Sequence, residues 1–176
     1  MANWTETDLT RQFNHAKLSG WIPYFAAAAQ ANHFDTELLL AIASRETNMQ
    51  NIRGDFNGGI YHGFGIMQVD VRTDPDFCNA WTADQVEGSI ERGTRILAGK
   101  RDALAAQNIT DLRAIAAAYN TGAANVIHSI QNGADPDSTT TGHDYGADVI
   151  ARRAVFQNLT SLATAATRSA SSGQTS

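Results

Sequence analysis

Cysteine, basic charge and long apolar runs are all scarce in this chain, and each scarcity narrows what it can be. One cysteine, Cys78, in 176 residues excludes an intramolecular disulfide. His15, His33, His62, His128 and His143 are scattered, with no Cys/His spacing suited to zinc. Neither crosslinks nor metals are needed for stability, because a chain of this length can bury about two thirds of its unfolded surface as one domain. No segment approaches the roughly 20 apolar residues of a membrane span. The start, MANWTETDLTRQF, lacks a charged region followed by an apolar run of the secretory type. A net charge of -5 argues against non-specific nucleic-acid binding, which depends on basic charge. No internal repeat or domain linker is visible.

What is present reads as a mostly helical domain over residues 1–166, with residues 167–176 expected to be a disordered tail. Trp4, Leu9 and Phe13 are spaced to pack a short helix, and Trp21–Asn32 reads as a second, with Pro23 in its first turn. Asp35 or Thr36 can cap a third helix that runs to Glu46. Asp84–Gln107, Thr110–Tyr119 with Thr110 as cap, Ala123–Gln131 and His143–Thr164 complete the helical set, the last with Tyr145, Val149, Phe156, Leu159 and Leu162 inward. Between Asn48 and Gly65 lie five glycines and three asparagines. That composition suits tight turns, a small hairpin from Gly54 to Tyr61 and one short strand from Phe64 to Val69. A glycine-rich loop carrying aromatic residues can wall a binding site, which makes His62 and Phe64 candidate substrate contacts.

The third helix places Leu38, Leu39, Ile42 and Ala43 on an apolar stripe that arrives at Glu46. A carboxylate at the end of an oily face is costly to ionise if water is excluded, so burial predicts a raised pKa and a proton held near neutrality. That is what general acid catalysis at a glycosidic oxygen needs. The alternative is a helix-end Glu that pairs with Arg45 or Arg53 or faces solvent.

Three separated pieces, SRET at 44–47, GFGIMQVD at 63–70 and AAYNTGAANV at 117–126, resemble the lysozyme-like superfamily of goose-type lysozymes and bacterial lytic transglycosylases. A fourth, HDYGADVIARR at 143–153, is similar to the goose-type group in particular. The resemblance runs from about Trp21 to about Gln157. It implies a mainly α, lysozyme-like α(+β) fold, with a helical bundle and a small glycine-rich hairpin region beside a cleft. It also implies that Glu46 is the general acid and that Gln68 lines the cleft. Tyr119 and Asn120 would position Glu46 and the sugar, and Tyr145 would face the catalytic centre.

Asp70 stands where goose-type lysozymes carry an aspartate that holds the attacking water. Inverting hydrolysis needs a second carboxylate roughly 6.5 to 9.5 Å from the acid. Asp70 can instead simply cap a turn before Val71 and Arg72. A further aspartate of the goose-type G-D-x-G-N-G-F-G run would fall at Gly59, and the nearest acid here, Asp55, is displaced by four positions. Thr47 replaces the serine that commonly follows the catalytic Glu.

The resemblance therefore implies a muramidase acting on the β-1,4 link between N-acetylmuramic acid and N-acetylglucosamine of peptidoglycan, with a lytic transglycosylase as the alternative. A non-catalytic glycan-binding module is the third reading. No cofactor and no metal are expected, since neither metal-ligand spacing nor a nucleotide-type glycine loop is present. The expected partner is the peptidoglycan glycan strand, with no nucleic acid and no membrane span, and the expected state is a monomer. With no secretory segment in the sequence, the expectation is an endolysin- or effector-like protein, cytoplasmic until released.

Overall fold

The helix that ends at Glu46 forms because Asp35, in extended conformation, accepts the Leu38 N–H at 2.9 Å and so starts a run of strong helix formers. The structure is a computed structural model that describes residues 4–172, with side chains described as far as residue 165. In chain order the elements are α1 (Glu6–Leu18), α2 (Ile22–Asn32), α3 (Thr36–Thr47), β1 (Arg53–Asn57), β2 (Ile60–Phe64), β3 (Val69–Asp70), α4 (Pro75–Ala80), α5 (Val86–Ala105), α6 (Leu112–Thr121), α7 (Ala123–Gln131), a 3-10 turn (Thr141–His143) and α8 (Tyr145–Ser172). This is a mainly α architecture with one small antiparallel sheet ordered β1-β2-β3.

The stripe expected on α3 understates its burial. Every residue from Leu38 to Ser44 is buried, because α8, α2 and α1 all pack around the helix and leave it no wet face. A helix that is apolar all round belongs in the centre of a bundle. Leu9, Phe13, Phe25, Phe156, Leu97 and Val126 close the core around it. Asn48, with φ of 52°, ends α3 in the left-handed conformation, and its N–H returns to the Ala43 and Ser44 carbonyls.

The hairpin is where the sequence pointed, but Phe64 to Val69 is not a strand. Phe64 closes β2, residues 65–68 turn, and Val69 opens β3 opposite Phe64. Gly58 and Gly59, with φ of 60° and 86°, make the two-residue turn between β1 and β2, a conformation that glycine adopts without strain. The unforeseen helix α4 starts at Asp74, whose carboxylate accepts the Phe77 N–H at 3.1 Å. It brings Cys78 and Trp81 against Phe64 and Val69 as a second, smaller apolar cluster.

Two helix ends also differ. The cap of α6 is Asp111, accepting the Ala114 N–H at 2.9 Å, one residue beyond Thr110. Helix α8 continues to Ser172 rather than stopping at Thr164. An established helix gains a hydrogen bond per added residue at no nucleation cost, and no glycine or proline intervenes before Gly173. Residues 173–176 of the expected tail lie outside the described residues. Leu162 does not face inward; it is 68% exposed, since α8 has run past the elements that could cover it. Among the described residues, no helix is long and apolar enough to cross a membrane.

Phe156 is fully buried on α8 while Leu162, on the same helix, is largely exposed. Phe156→Ala is therefore expected to cost about 4 kcal/mol and Leu162→Ala no more than about 0.5 kcal/mol. Urea denaturation of the two variants measures this.

Candidate active site

Glu46 occupies the last turn of α3 and is half-buried as a residue. The Tyr145 hydroxyl, from the first turn of α8, donates a short hydrogen bond to Glu46 Oε1. Neither cation considered from the sequence neutralises the acid. Arg45 turns away to Asp144 at 3.1 Å and Asp148 at 3.0 Å, and Arg53 lies over the rings of Tyr61, Phe64 and Trp81. Burial accordingly pushes the Glu46 pKa up to about 7, against the opposing pull of the Tyr145 hydrogen bond and the Arg45 charge. The Tyr145 and Tyr119 hydroxyls are held well above the usual phenol range, first by burial and then by the nearby Glu46 charge.

The placement of Tyr145 is built from below. Asp137, fully buried, accepts the Gly146 N–H at 2.6 Å and the Ala147 N–H at 3.0 Å, which satisfies first-turn donors of α8 that have no partner within the helix. Arg113 of α6 donates to the same carboxylate at 2.9 Å. Gly146 permits the approach, since a Cβ there would lie 2.5 Å from the Arg113 carbonyl. One turn on, Asp148 accepts from Trp4 Nε1 at 2.5 Å, Arg45 Nη1 at 3.0 Å and Arg152 Nε at 2.7 Å. Burial opposes ionisation of Asp148, but these three donors hold its pKa below the usual carboxylate range.

The turn at 65–68 is seated beside the acid from three directions. Thr47 Oγ1 lies 3.1 Å from the Ile66 carbonyl, so the hydroxyl retained in place of serine ties the end of α3 to the turn. Asn51 Oδ1 accepts the Ile66 N–H at 2.8 Å. From the far side, the Tyr119 hydroxyl donates to the Met67 carbonyl at 2.7 Å. Met67 itself is core.

The remaining expected residues divide. Gln68 spends its amide on the fold, with Nε2 donating to the Ile52 carbonyl at 3.1 Å and the Gly65 carbonyl at 2.9 Å. It nevertheless lines a cavity of about 270 Å³ together with Asp70, Arg72, Lys100, Tyr119 and Asn120. Asn120 Oδ1 accepts the Thr141 N–H at 2.9 Å and so joins α6 to the turn before α8. Asp70 accepts the Arg72 N–H at 2.7 Å and forms an ion pair with the Arg72 guanidinium, so it is a turn cap that also lines this cavity. The Arg72 hydrogen bonds hold its pKa below the usual carboxylate range.

His62 is half-buried and close enough for its charge to act on Asp70. Asp55 is exposed in the left-handed region, with φ of 50°, and contributes its field at Arg72. Phe64 is not available to substrate: it is buried against Trp81, with ring centroids 6.1 Å apart, because β2 turns this face to the second cluster.

The residues that sequence reasoning passed over are Arg72, Asp148 and Asp137, and Arg45 was weighed only as a partner of Glu46, not of Asp148. Arg72 carried a local signal, two positions after Asp70. Asp148 and Arg152 sit four apart within the HDYGADVIARR segment, a spacing that pairs charges on a helix. Asp137, in a polar loop, had no such signal.

With this geometry established, two comparisons bear on the chain. Residues 7–159 match the family model described as Lysozyme g. A curated relative, Lysozyme g of Epinephelus coioides, is 37% identical over 129 residues, 67% of this chain and 64% of that protein's length. The match thus spans somewhat less than two thirds of the relative.

The Glu46 shift makes two expected outcomes. A glutamate titrates near 4.5 when unfolded and near 7 here, so between those values the native state keeps a proton that the unfolded chain has released. Stability therefore falls as pH rises from about 4.5 to about 7 and is flat above. Glu46→Gln removes this dependence, and at pH 8 it should be more stable than the parent by on the order of 2 kcal/mol, with little difference at pH 4. Denaturant melts across pH measure it. Tyr145→Phe deletes the hydrogen bond that favours the Glu46 anion and should move the Glu46 titration, followed by carboxyl NMR, to higher pH.

Proposed function

The chain belongs to the lysozyme g family, and from that premise we propose that it is a muramidase hydrolysing the β-1,4 bond between N-acetylmuramic acid and N-acetylglucosamine in peptidoglycan. The carrying observation is a carboxyl whose pKa is pushed up to about 7 by burial while it is held by a tyrosine hydroxyl, with no ion pair to it among the described residues. Such a group can give its proton to the leaving glycosidic oxygen as the bond to the anomeric carbon breaks. Water attacks that carbon from the opposite face. Asp70, kept ionised by Arg72, orients the water and accepts its proton, so the configuration inverts. Asp55 adds negative field on the same side through Arg72.

One observation favours a second reading. The hydrogen bonds and charge of Arg72 that keep Asp70 ionised also make it a weaker base. In a lytic transglycosylase no second base is required: Glu46 first gives and then takes a proton, and the C6 hydroxyl of the muramic acid attacks in place of water.

Mass spectrometry of fragments released from purified peptidoglycan separates the two. Reducing muramic ends are expected, and they should vanish with Glu46→Gln, whose rate is expected to be lower by at least about a hundredfold. Ends lighter by one water, the 1,6-anhydro form, would establish the transglycosylase instead. Because the acid must be protonated, kcat/KM is expected to decline as pH rises through about 7. Asp70→Asn should lower kcat by about a hundredfold if it orients water and leave anhydro production unaffected if it does not.

A further inference from the structure

The β1–β2 hairpin carries two exposed rings that lie directly opposite each other across its strands. Phe56 is 63% exposed and Tyr61 41% exposed. Their centroids are 4.8 Å apart at an interplanar angle of 54°, and the Arg53 guanidinium lies 5.9 Å from the Tyr61 ring. Exposed aromatic pairs are poor choices for a surface hairpin unless something covers them.

Register decides which way the pair looks. Phe56 pairs with Tyr61, Gly54 with Gly63, and Gly63 with Asp70. Directly opposed residues share a sheet face, as do residues two apart on one strand. Tyr61, Phe56, Gly63, Gly54 and Asp70 therefore lie on a single face. The other face, holding Phe64 and Val69, is closed by Cys78 and Trp81.

On the Asp70 face the two glycines leave a floor that Gln68 occupies: a Cβ at Gly54 would fall 2.1 Å from Gln68 Oε1, and one at Gly63 2.3 Å from it. Gln68 and Asp70 line the same cavity. The aromatic pair thus continues the surface of that cavity, about 7 Å beyond the Asp70 row at the rise of an extended strand.

We propose that the Phe56 and Tyr61 rings form a sugar-stacking platform, which carries the glycan strand past Asp70 along the hairpin. A pyranose presents C–H bonds on its flat face and hydroxyls at its rim. It fits an aromatic surface with the Arg53 guanidinium reaching its Tyr61 edge and the Asp70–Arg72 pair beyond it better than a purely apolar or purely charged one. The only other strongly exposed apolar side chain at the hairpin tip, Ile60, pairs with Asn57 and so projects from the opposite face. Two rings match a sugar and are small for a bilayer or a protein interface. The platform rests on the glycan-cleaving reading, and its test separates the two.

The test uses Glu46→Gln protein, which leaves ligand intact, and purified peptidoglycan glycan strands freed of peptides. Phe56→Ala/Tyr61→Ala in that background is expected to weaken strand binding about fivefold to tenfold by calorimetry, and Phe56→Tyr/Tyr61→Phe to restore it. In the active protein the alanine pair should raise KM for strands much more than it lowers kcat. Unchanged strand affinity in the alanine pair overturns the platform, as does failure of the parent protein to bind strands. Loss of sedimentation with anionic phospholipid vesicles, with strand binding intact, would overturn it in favour of a membrane. Absence of Glu46-dependent cleavage with binding still lost in the alanine pair would sink the muramidase reading alone.

Discussion

A carboxyl group at the end of a helix with no wet face cannot be ionised cheaply, and much of the surrounding structure follows from how that cost is handled. The chain could have placed Arg45 on Glu46, one residue away, and made a stable ion pair of no use as an acid at neutral pH. Instead, Asp144 and Asp148 draw the guanidinium aside, and only its field reaches Glu46. What touches the carboxyl is the Tyr145 hydroxyl, a neutral donor that orients without discharging it. Tyr145 and Asp148 are three residues apart on α8, so one helix face supplies both the contact and the diversion. Packing of α3 against α8 is therefore also the chemistry of the site.

That arrangement places charge in the interior, which is ordinarily poor value for stability. Asp148 and Arg152 are both buried, and Arg152 continues through the Ser44 hydroxyl at 2.7 Å to Gln12 on α1. Buried ion pairs are often no better than hydrophobic residues of the same volume, although stranding one member is expensive. The return here is positional. Three helices and Trp4 are joined to one carboxylate, and Arg45 has a defined direction. Asp137 acts similarly at the start of α8, meeting donors that would otherwise be orphaned.

The sequence made the helical plan legible because its signals are local. The Asp35 cap, the alanine-rich α2 and the stop at Gly122 each act within a turn or two. Glu46 was legible for the same reason, as an acid ending an apolar run. What escaped was whatever depends on a partner far along the chain. Phe64 resembles a wall of the binding loop until α4 places Trp81 against it. Gln68 reads simply as a cleft-lining residue until Gly54 and Gly63 are seen to leave room for its amide, which donates into the fold while the residue lines the cavity. Leu162 fits the inward period of α8, yet helical periodicity cannot say where the neighbouring elements end. Asp70 was read either as a turn cap or as a cleft residue; the Arg72 N–H and guanidinium make it a turn cap, and it lines a cavity with Gln68 and Tyr119.

The 65–68 turn holds the segment carrying Asp70 against the core independently of the outer hairpin. Thr47 of α3 grips the turn at Ile66, Tyr119 of α6 grips it at Met67, and α5 presses against it closely enough that a Cβ at Gly93 would lie 2.4 Å from Met67 Cβ. Glu46 lies immediately before the first of these anchors and Asp70 two residues after Gln68. Their spacing is thus set by the core rather than by the hairpin. β3 pairs only with the Gly63 and Phe64 rows of β2, which leaves the outer part of β1 and β2 unconstrained by Asp70. A displaced acid such as Asp55, and an aromatic pair such as Phe56 and Tyr61, can be carried there without disturbing the acid. The opposite environments of the two carboxylates, one pushed up by burial and one held down by Arg72, arise on either side of this anchored turn, which is why they can be set independently.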